Sequence, residues 1–186
     1  MSIPEVSFSD FLLGRCHVHG EAPAFVDGLS GRVLTFAELA ELAESFAAGL
    51  TAQGLERGAV VAILSPNIPE YAVVVNGAIR AGCVVTTINP LLTSGEIGQQ
   101  LRDCGARLIA TVPELAGRAA EAAAGLHVRD IVVVGDSAGA TPLARILAAG
   151  RGQTGPASSR RWLTRRKTWR WCCIPAVRPA DPRVSF

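Results

Sequence analysis

Along the first 150 residues, apolar positions alternate between two rhythms. Short unbroken apolar runs suit strands buried on both faces of a sheet. The stretches between them, with apolar residues every three or four positions, suit helices laid against that sheet. Residues 9–17 read as a short helix. Residues 24–26 and 32–35 read as the strands of a hairpin around Asp27-Gly28-Leu29-Ser30-Gly31, because Asp-Gly and Ser-Gly pairs favour turns. Thr35 and Glu38 have capping-box spacing. Phe36, Leu39, Ala40, Ala43, Phe46, Ala47 and Leu50 then recur at helical spacing until Gly54 closes the helix. Residues 59–64 predict a strand, and Pro66 and Pro69 open a helix running to 81. Residues 83–88 predict another strand. Thr93 and Glu96, a second capping-box pair, open a helix to about Cys104. A strand over 107–111, a helix over 113–124, a strand over 128–134 and a helix over 141–149 with Pro142 in its first turn complete the series. Repeated strand–helix alternation predicts an α/β fold: a doubly wound, mostly parallel sheet flanked by helices.

After Gly150 both rhythms stop, and composition changes with them. Residues 1–150 hold nine Arg and no Lys against fifteen Asp and Glu, a net −6. Residues 151–186 hold eight Arg and Lys167 against Asp181 alone, a net +8, together with all three Trp. The expected organisation is one α/β unit over 1–150 and a disordered basic tail over 151–186. Aromatic residues make up only 5% of the chain, so the core has to be built from Ala, Val, Leu and Ile. No secretory leader is recognised, and Pro, Gly and Asn break every apolar stretch short of membrane-spanning length. Cys16, Cys83, Cys104, Cys172 and Cys173 are odd in number and lack a C-x-x-C pair, which fits a reducing cytoplasm.

Candidate chemistry is sparse. Gly135-Asp136-Ser137-Ala138-Gly139 has the G-x-S-x-G form of a hydrolase nucleophile elbow after a strand. In that fold a histidine follows the serine, whereas His17, His19 and His127 all precede Ser137, and Pro142 interrupts the expected helix. The other reading of this motif is a Gly-rich turn. His17 and His19 would not share a helical face, and no Cys or carboxylate cluster completes a metal shell. No P-loop or G-x-G-x-x-G pattern occurs. Arg160, Arg161, Arg165, Arg166 and Lys167, with Trp162, Trp169 and Trp171 nearby, allow a nucleic-acid-binding tail as an alternative reading.

Several stretches together carry a family likeness. Thr35-Phe36-Ala37-Glu38-Leu39 and Ser65-Pro66-Asn67-Ile68-Pro69-Glu70-Tyr71 are two of them. Ala81-Gly82-Cys83-Val84-Val85-Thr86-Thr87-Ile88-Asn89-Pro90 and Leu92-Thr93-Ser94-Gly95-Glu96-Ile97 follow, and Gly105-Ala106-Arg107-Leu108-Ile109-Ala110-Thr111 completes the set. In this order and spacing the chain resembles the AMP-forming acyl-CoA synthetases, closest to 4-coumarate-CoA ligases, over about residues 5–150. The resemblance implies ATP, Mg and CoA as cofactors and a carboxylic acid as substrate, giving an acyl-adenylate and pyrophosphate and then an acyl-CoA. It also implies a phosphate-holding loop, Ser-Ser-Gly-Thr-Thr-Gly-x-Pro-Lys-Gly, soon after the last helix. That loop and the family's later C-terminal catalytic Lys are absent. The matching segments are scaffold, so no catalytic, cofactor-binding or metal residue is assigned, and the chain as given is expected to be inactive.

The tail suggests why the loop is missing. Thr164-Arg165-Arg166-Lys167-Thr168-Trp169 can be written acc cgg cgg aag acg tgg. Starting one base earlier, on a final g from Leu163, gives gac ccg gcg gaa gac gtg, which reads Asp-Pro-Ala-Glu-Asp-Val. Continued to Phe186, the same shift accommodates Ala-Val-Val-Leu-Tyr-Ser-Ser-Gly-Thr-Thr-Gly-Arg-Pro-Lys-Gly-Val. The expectation is a reading-frame change from about Arg151 onward.

Overall fold

A computed structural model of the chain describes residues 7–151. Its first element, α1 (Phe8–Leu13), is capped by the Ser7 hydroxyl, which accepts from the Asp10 N–H. The single helix expected over 9–17 is instead two, because α1 ends at Gly14 and α2 (Cys16–His19) restarts beyond it. A Cβ at residue 14 would lie 2.6 Å from the Asp10 carbonyl oxygen. The expected hairpin is present as antiparallel β1 (Pro23–Val26) and β2 (Val33–Thr35). The Asp27 carboxylate shapes its turn by accepting from the Leu29 N–H and the Ser30 hydroxyl. Arg32, at the end of the turn, pairs with the buried carboxylate of Glu70.

Helix α3 (Phe36–Ala52) starts at the capping box of Thr35 and Glu38, as the spacing predicts. The doubly wound series follows: β3 (Val60–Leu64), α4 (Pro69–Arg80), β4 (Val84–Ile88), α5 (Ser94–Cys104), β5 (Ala106–Thr111), α6 (Pro113–Ala123) and β6 (Asp130–Val133). Thr93 and Glu96 form the second capping box, at the start of α5. One expectation is corrected. Thr141 and Pro142 do not begin a helix; they form a two-residue strand, β7 (Thr141–Pro142), parallel to β6, and α7 (Leu143–Arg151) begins after it. Proline is tolerated there because β7 is an edge strand and needs no ladder N–H on its outer side.

The five strands lie in the order β4-β3-β5-β6-β7, all parallel. Side chains alternate across this sheet and divide the core in two. On the front, Val61, Ile63, Leu108, Ala110 and Val132 pack with α3, α4 and α7. On the back, Ala62, Leu64, Ile88 and Ile109 pack with α5 and α6. Fully burying one such Leu, Ile or Val contributes roughly 1.5–3 kcal/mol. The front helices approach so closely that they meet through glycines. A side chain at Gly49 would strike the Ile146 carbonyl, one at Gly77 would lie 2.7 Å from the Ala43 carbonyl oxygen, and one at Gly150 would overlap the Ser45 carbonyl. Arg80, on α4, ties α1 and α3 to this layer, 2.8 Å from Asp10 and 3.6 Å from Glu44.

Candidate functional site

In an open parallel sheet, ligands gather outside the carboxyl ends of the strands, where strand order reverses. Here the reversal lies between β3 and β5. The chain leaves β3 for β4 on one side and returns to place β5 on the other. The segments at that edge are Ser65-Pro66-Asn67 after β3, Asn89-Pro90 after β4, Val112 after β5, and residues 134–140 after β6. Three of the stretches that carry the family likeness reach this edge, at Ser65-Pro66-Asn67, Asn89-Pro90 and Thr111, brought together by the parallel pairing of β3, β4 and β5.

The polar groups at this edge serve the shape of the loops. The Ser65 hydroxyl donates to the Pro66 carbonyl at 2.9 Å, and the buried Thr111 hydroxyl donates to the Leu64 carbonyl at 2.7 Å. The Asn89 side chain accepts from the Leu91 N–H at 2.9 Å. Helices α4 and α6 both start with proline, and their N-cap residues Ile68 and Val112 give no side-chain cap. In α5, by contrast, the main-chain N–H of Thr93, then its hydroxyl, hold the Glu96 carboxyl below its ordinary pKa. Among the described residues no three His, Cys, Asp or Glu side chains cluster to hold a metal, and none is a lysine.

The sequence-level candidates are scattered. Ser137 lies half-buried in the turn between β6 and β7, where its carbonyl accepts from the Ala140 N–H at 3.3 Å. The segment runs on into β7, not into the helix of a nucleophile elbow. His127 precedes β6, at the opposite end of that strand from Ser137. His17 and His19 lie on α2, and the His19 ring packs 4.8 Å from that of Phe36. Cys16, Cys83 and Cys104 form no disulfide. Burial raises the pKa of the Cys83 thiol to about 11 and also raises that of Cys16, so both stay protonated and inert near neutrality. The candidate tail residues, from Arg160 to Cys173, lie outside the described residues.

A cavity of about 380 Å³ opens at the other edge of the sheet, beside Leu55, Arg57, Cys104, Arg107 and Arg129. Two of its arginines are tied to main-chain carbonyls, Arg107 to that of His127 at 3.4 Å and Arg129 to that of Gly54 at 3.2 Å. Sequence reading did not single out this cluster, since the three arginines lie on separate elements.

The order of elements and the loop stretches define a class, the adenylate-forming ligases. The profile of the family described as AMP-binding enzyme matches residues 14–166, and the chain belongs to that family. A 4-coumarate–CoA ligase of Pinus taeda is 35% identical over 138 residues, covering 71% of this chain and 25% of the relative. A long-chain-fatty-acid–CoA ligase of Salmonella typhi is 41% identical over 99 residues, covering 53% of this chain and 17% of the relative. Among solved structures, a long-chain-fatty-acid-CoA ligase from Archaeoglobus fulgidus superposes with a TM-score of 0.73 at 21% identity. That superposition covers 81% of this chain and 31% of the other, and shows the shared fold. A fatty acyl CoA synthetase of Mycobacterium tuberculosis superposes with a TM-score of 0.66 at 28% identity, over 76% of this chain and 28% of the other. The chain thus spans about a quarter of the length of the curated relatives it matches. No helix among the described residues is long and apolar enough to cross a membrane.

Proposed function

We propose that this chain is the N-terminal scaffold of an AMP-forming acid–CoA ligase of the 4-coumarate or fatty-acid type. The reaction consumes a carboxylic acid, ATP and CoA and yields acyl-CoA, AMP and pyrophosphate. The observation that carries the reading is the ordered set of loop stretches on one sheet edge, in a chain of this family. The proposed organisation is an α/β unit over residues 1–150, followed by a tail over 151–186 read out of frame. On this reading the chain as given does not form acyl-adenylate, because the Ser/Thr/Gly-rich loop and its lysine, which would hold the phosphates through N–H groups, hydroxyls and charge, are encoded but not translated. The burial of the Cys16 and Cys83 thiols in the core fits a reducing cytoplasm as its setting.

The test is carboxylate-dependent exchange of pyrophosphate into ATP. It is measured on the chain as given and on the product of the restored frame, extended to that frame's own stop codon. Exchange only in the restored product is expected. Exchange in the chain as given, or in neither, overturns the reading. Sequencing the gene supplies an independent check, since a restored frame that fails to encode the loop removes the frame change.

A further inference from the structure

The arginines of the α/β unit are used unequally. Arg32 pairs with Glu70, Arg80 with Asp10 and Glu44, and Arg151 with Glu41. Arg107 and Arg129 instead line the cavity at the amino edge of the sheet. Among the described residues neither has a carboxylate partner. A guanidinium carries five N–H donors. Arg107 commits one of them to the His127 carbonyl at 3.4 Å, and Arg129 one to the Gly54 carbonyl at 3.2 Å.

The backbone sets these two residues side by side. The Arg129 N–H donates to the Arg107 carbonyl at 2.7 Å, one step before the paired residues Leu108 and Asp130. Toward β3 the register slips at the same point. Val60 pairs with Ala106 but Val61 with Leu108, so Arg107 is the extra, bulged residue. Bulges re-aim side chains and are over-represented beside active sites. Like charges on neighbouring strands repel. The nearby Asp130 carboxylate accepts from the Thr141 hydroxyl at 3.0 Å. Arg57 brings a third guanidinium to the lining, and its stem lies so close to Gly82 that a Cβ there would be 3.3 Å from its Cγ and Nε. Glu56 is the one acid of the lining, so three arginines face one carboxylate. That balance is the reverse of the net −6 carried by residues 1–150.

We propose that the amino-edge cavity is a binding site for an oligophosphate, with a diphosphate group held between Arg107 and Arg129 and Arg57 as the third cation. Planar guanidinium forks match phosphate oxygens two at a time. The dense charge of adjacent phosphates suits three guanidiniums in one concavity better than a single carboxylate does. The cavity of about 380 Å³ falls within the range of small-molecule sites, roughly 300–1,000 Å³. It lies at the opposite ends of the strands from the loops that carry the family likeness. Its ligand is therefore a second molecule, separate from any bound at the carboxyl edge. Every residue of the site is among those described, so it stands whether or not the tail is out of frame and whether or not the ligase reading holds.

Amide NMR of the 186-residue chain, titrated with inorganic pyrophosphate in metal-free buffer, tests the site. Saturable shifts are expected at the amides of Gly58, Gly105, Arg107 and Arg129. Arg107→Gln combined with Arg129→Gln should weaken binding at least about tenfold, the scale of losing charged hydrogen bonds. Arg145→Gln on α7 should change it less than about twofold, since an exposed distant charge contributes little. If the double variant does not fold, each single variant is titrated instead, with a weakening of at least about threefold expected. Undiminished binding by these variants overturns the proposal. Shifts confined to residues 151–186 also overturn it, because the basic tail alone then attracts the anion. ATP and AMP are titrated in parallel to identify the source of the diphosphate. Tighter binding of ATP than of pyrophosphate at the same amides supports a nucleotide, and the reverse order supports the free ion. AMP or citrate binding as tightly as pyrophosphate overturns the oligophosphate assignment.

Discussion

The two faces of the sheet are packed by different means. On the front, α3 meets α4 and α7 through backbone, with Gly49, Gly77 and Gly150 each facing a carbonyl where no side chain fits. On the back, α5 and α6 keep more distance. The corresponding glycine there, Gly98, would put a Cβ 3.0 Å from the Ala122 carbonyl oxygen, a tight contact that a small shift relieves. The front is thus specified by shape at single atoms, and the back by apolar surface. Overpacking typically costs about 1–3 kcal/mol where the neighbours cannot move, and much less where they can.

The largest effect that would sharpen this contrast is at Phe46, which is fully buried in the front layer. Phe46→Ala should lose about 4 kcal/mol in urea unfolding, the usual scale for emptying an aromatic site. A loss under about 1 kcal/mol would mean the front layer is loosely packed. Gly49→Ala should lose about 2–3 kcal/mol despite alanine's better helix propensity, because the collision with the Ile146 backbone outweighs the roughly 1 kcal/mol gained. Gly98→Ala should change stability by less than about 1 kcal/mol, since there the same propensity gain offsets a contact that can relax. Equal losses at Gly49 and Gly98 would erase the distinction between the faces.

A smaller effect concerns the cap of α5. The Glu96 carboxyl has its folded pKa lowered, chiefly by the Thr93 N–H. Its contribution is therefore present above the ordinary carboxylate range and lost as pH falls through the lowered folded value. Glu96→Gln should lower the urea midpoint slightly near about pH 6, with the difference fading toward about pH 3. A difference that grows on acidification would reverse the assignment. The mildest probe is alkylation followed by peptide mapping. Cys83, with its pKa raised to about 11 by burial, should stay unmodified under native conditions at pH values where half-buried Cys104 reacts slowly. Rapid labelling of Cys83 would show that the edge around β4 opens more readily than its burial suggests.

Much of this architecture was legible in the residues. Both capping boxes, Thr35 with Glu38 and Thr93 with Glu96, form as their spacing predicts, because the interaction is local and needs no knowledge of the fold. The buried strands announced themselves as apolar runs. Other features depend on contacts between distant segments and left no local mark. The break at Gly14 cut one expected helix in two. Thr141 and Pro142 resembled a helix start and became a strand because β6 offers a ladder to pair with. Strand order was not readable, nor was the meeting of Arg57, Arg107 and Arg129 around one cavity. At the site the sequence revealed the stretches but not their convergence, which parallel pairing produces.

The glycine at 150 has a consequence for the gene. Its lone hydrogen faces the Ser45 carbonyl across the α3–α7 crossing, and no other amino acid fits there without moving a helix. A frame slip upstream would have had only a small chance of leaving glycine codons at 49 and 150 in register with each other. Under the frame change proposed above, this crossing places Gly150 among the residues still read in the original frame. On that proposal, the inserted or deleted base lies between codon 151 and the codons of the Asp-Pro-Ala-Glu-Asp-Val phrase, an interval short enough for a single sequencing read.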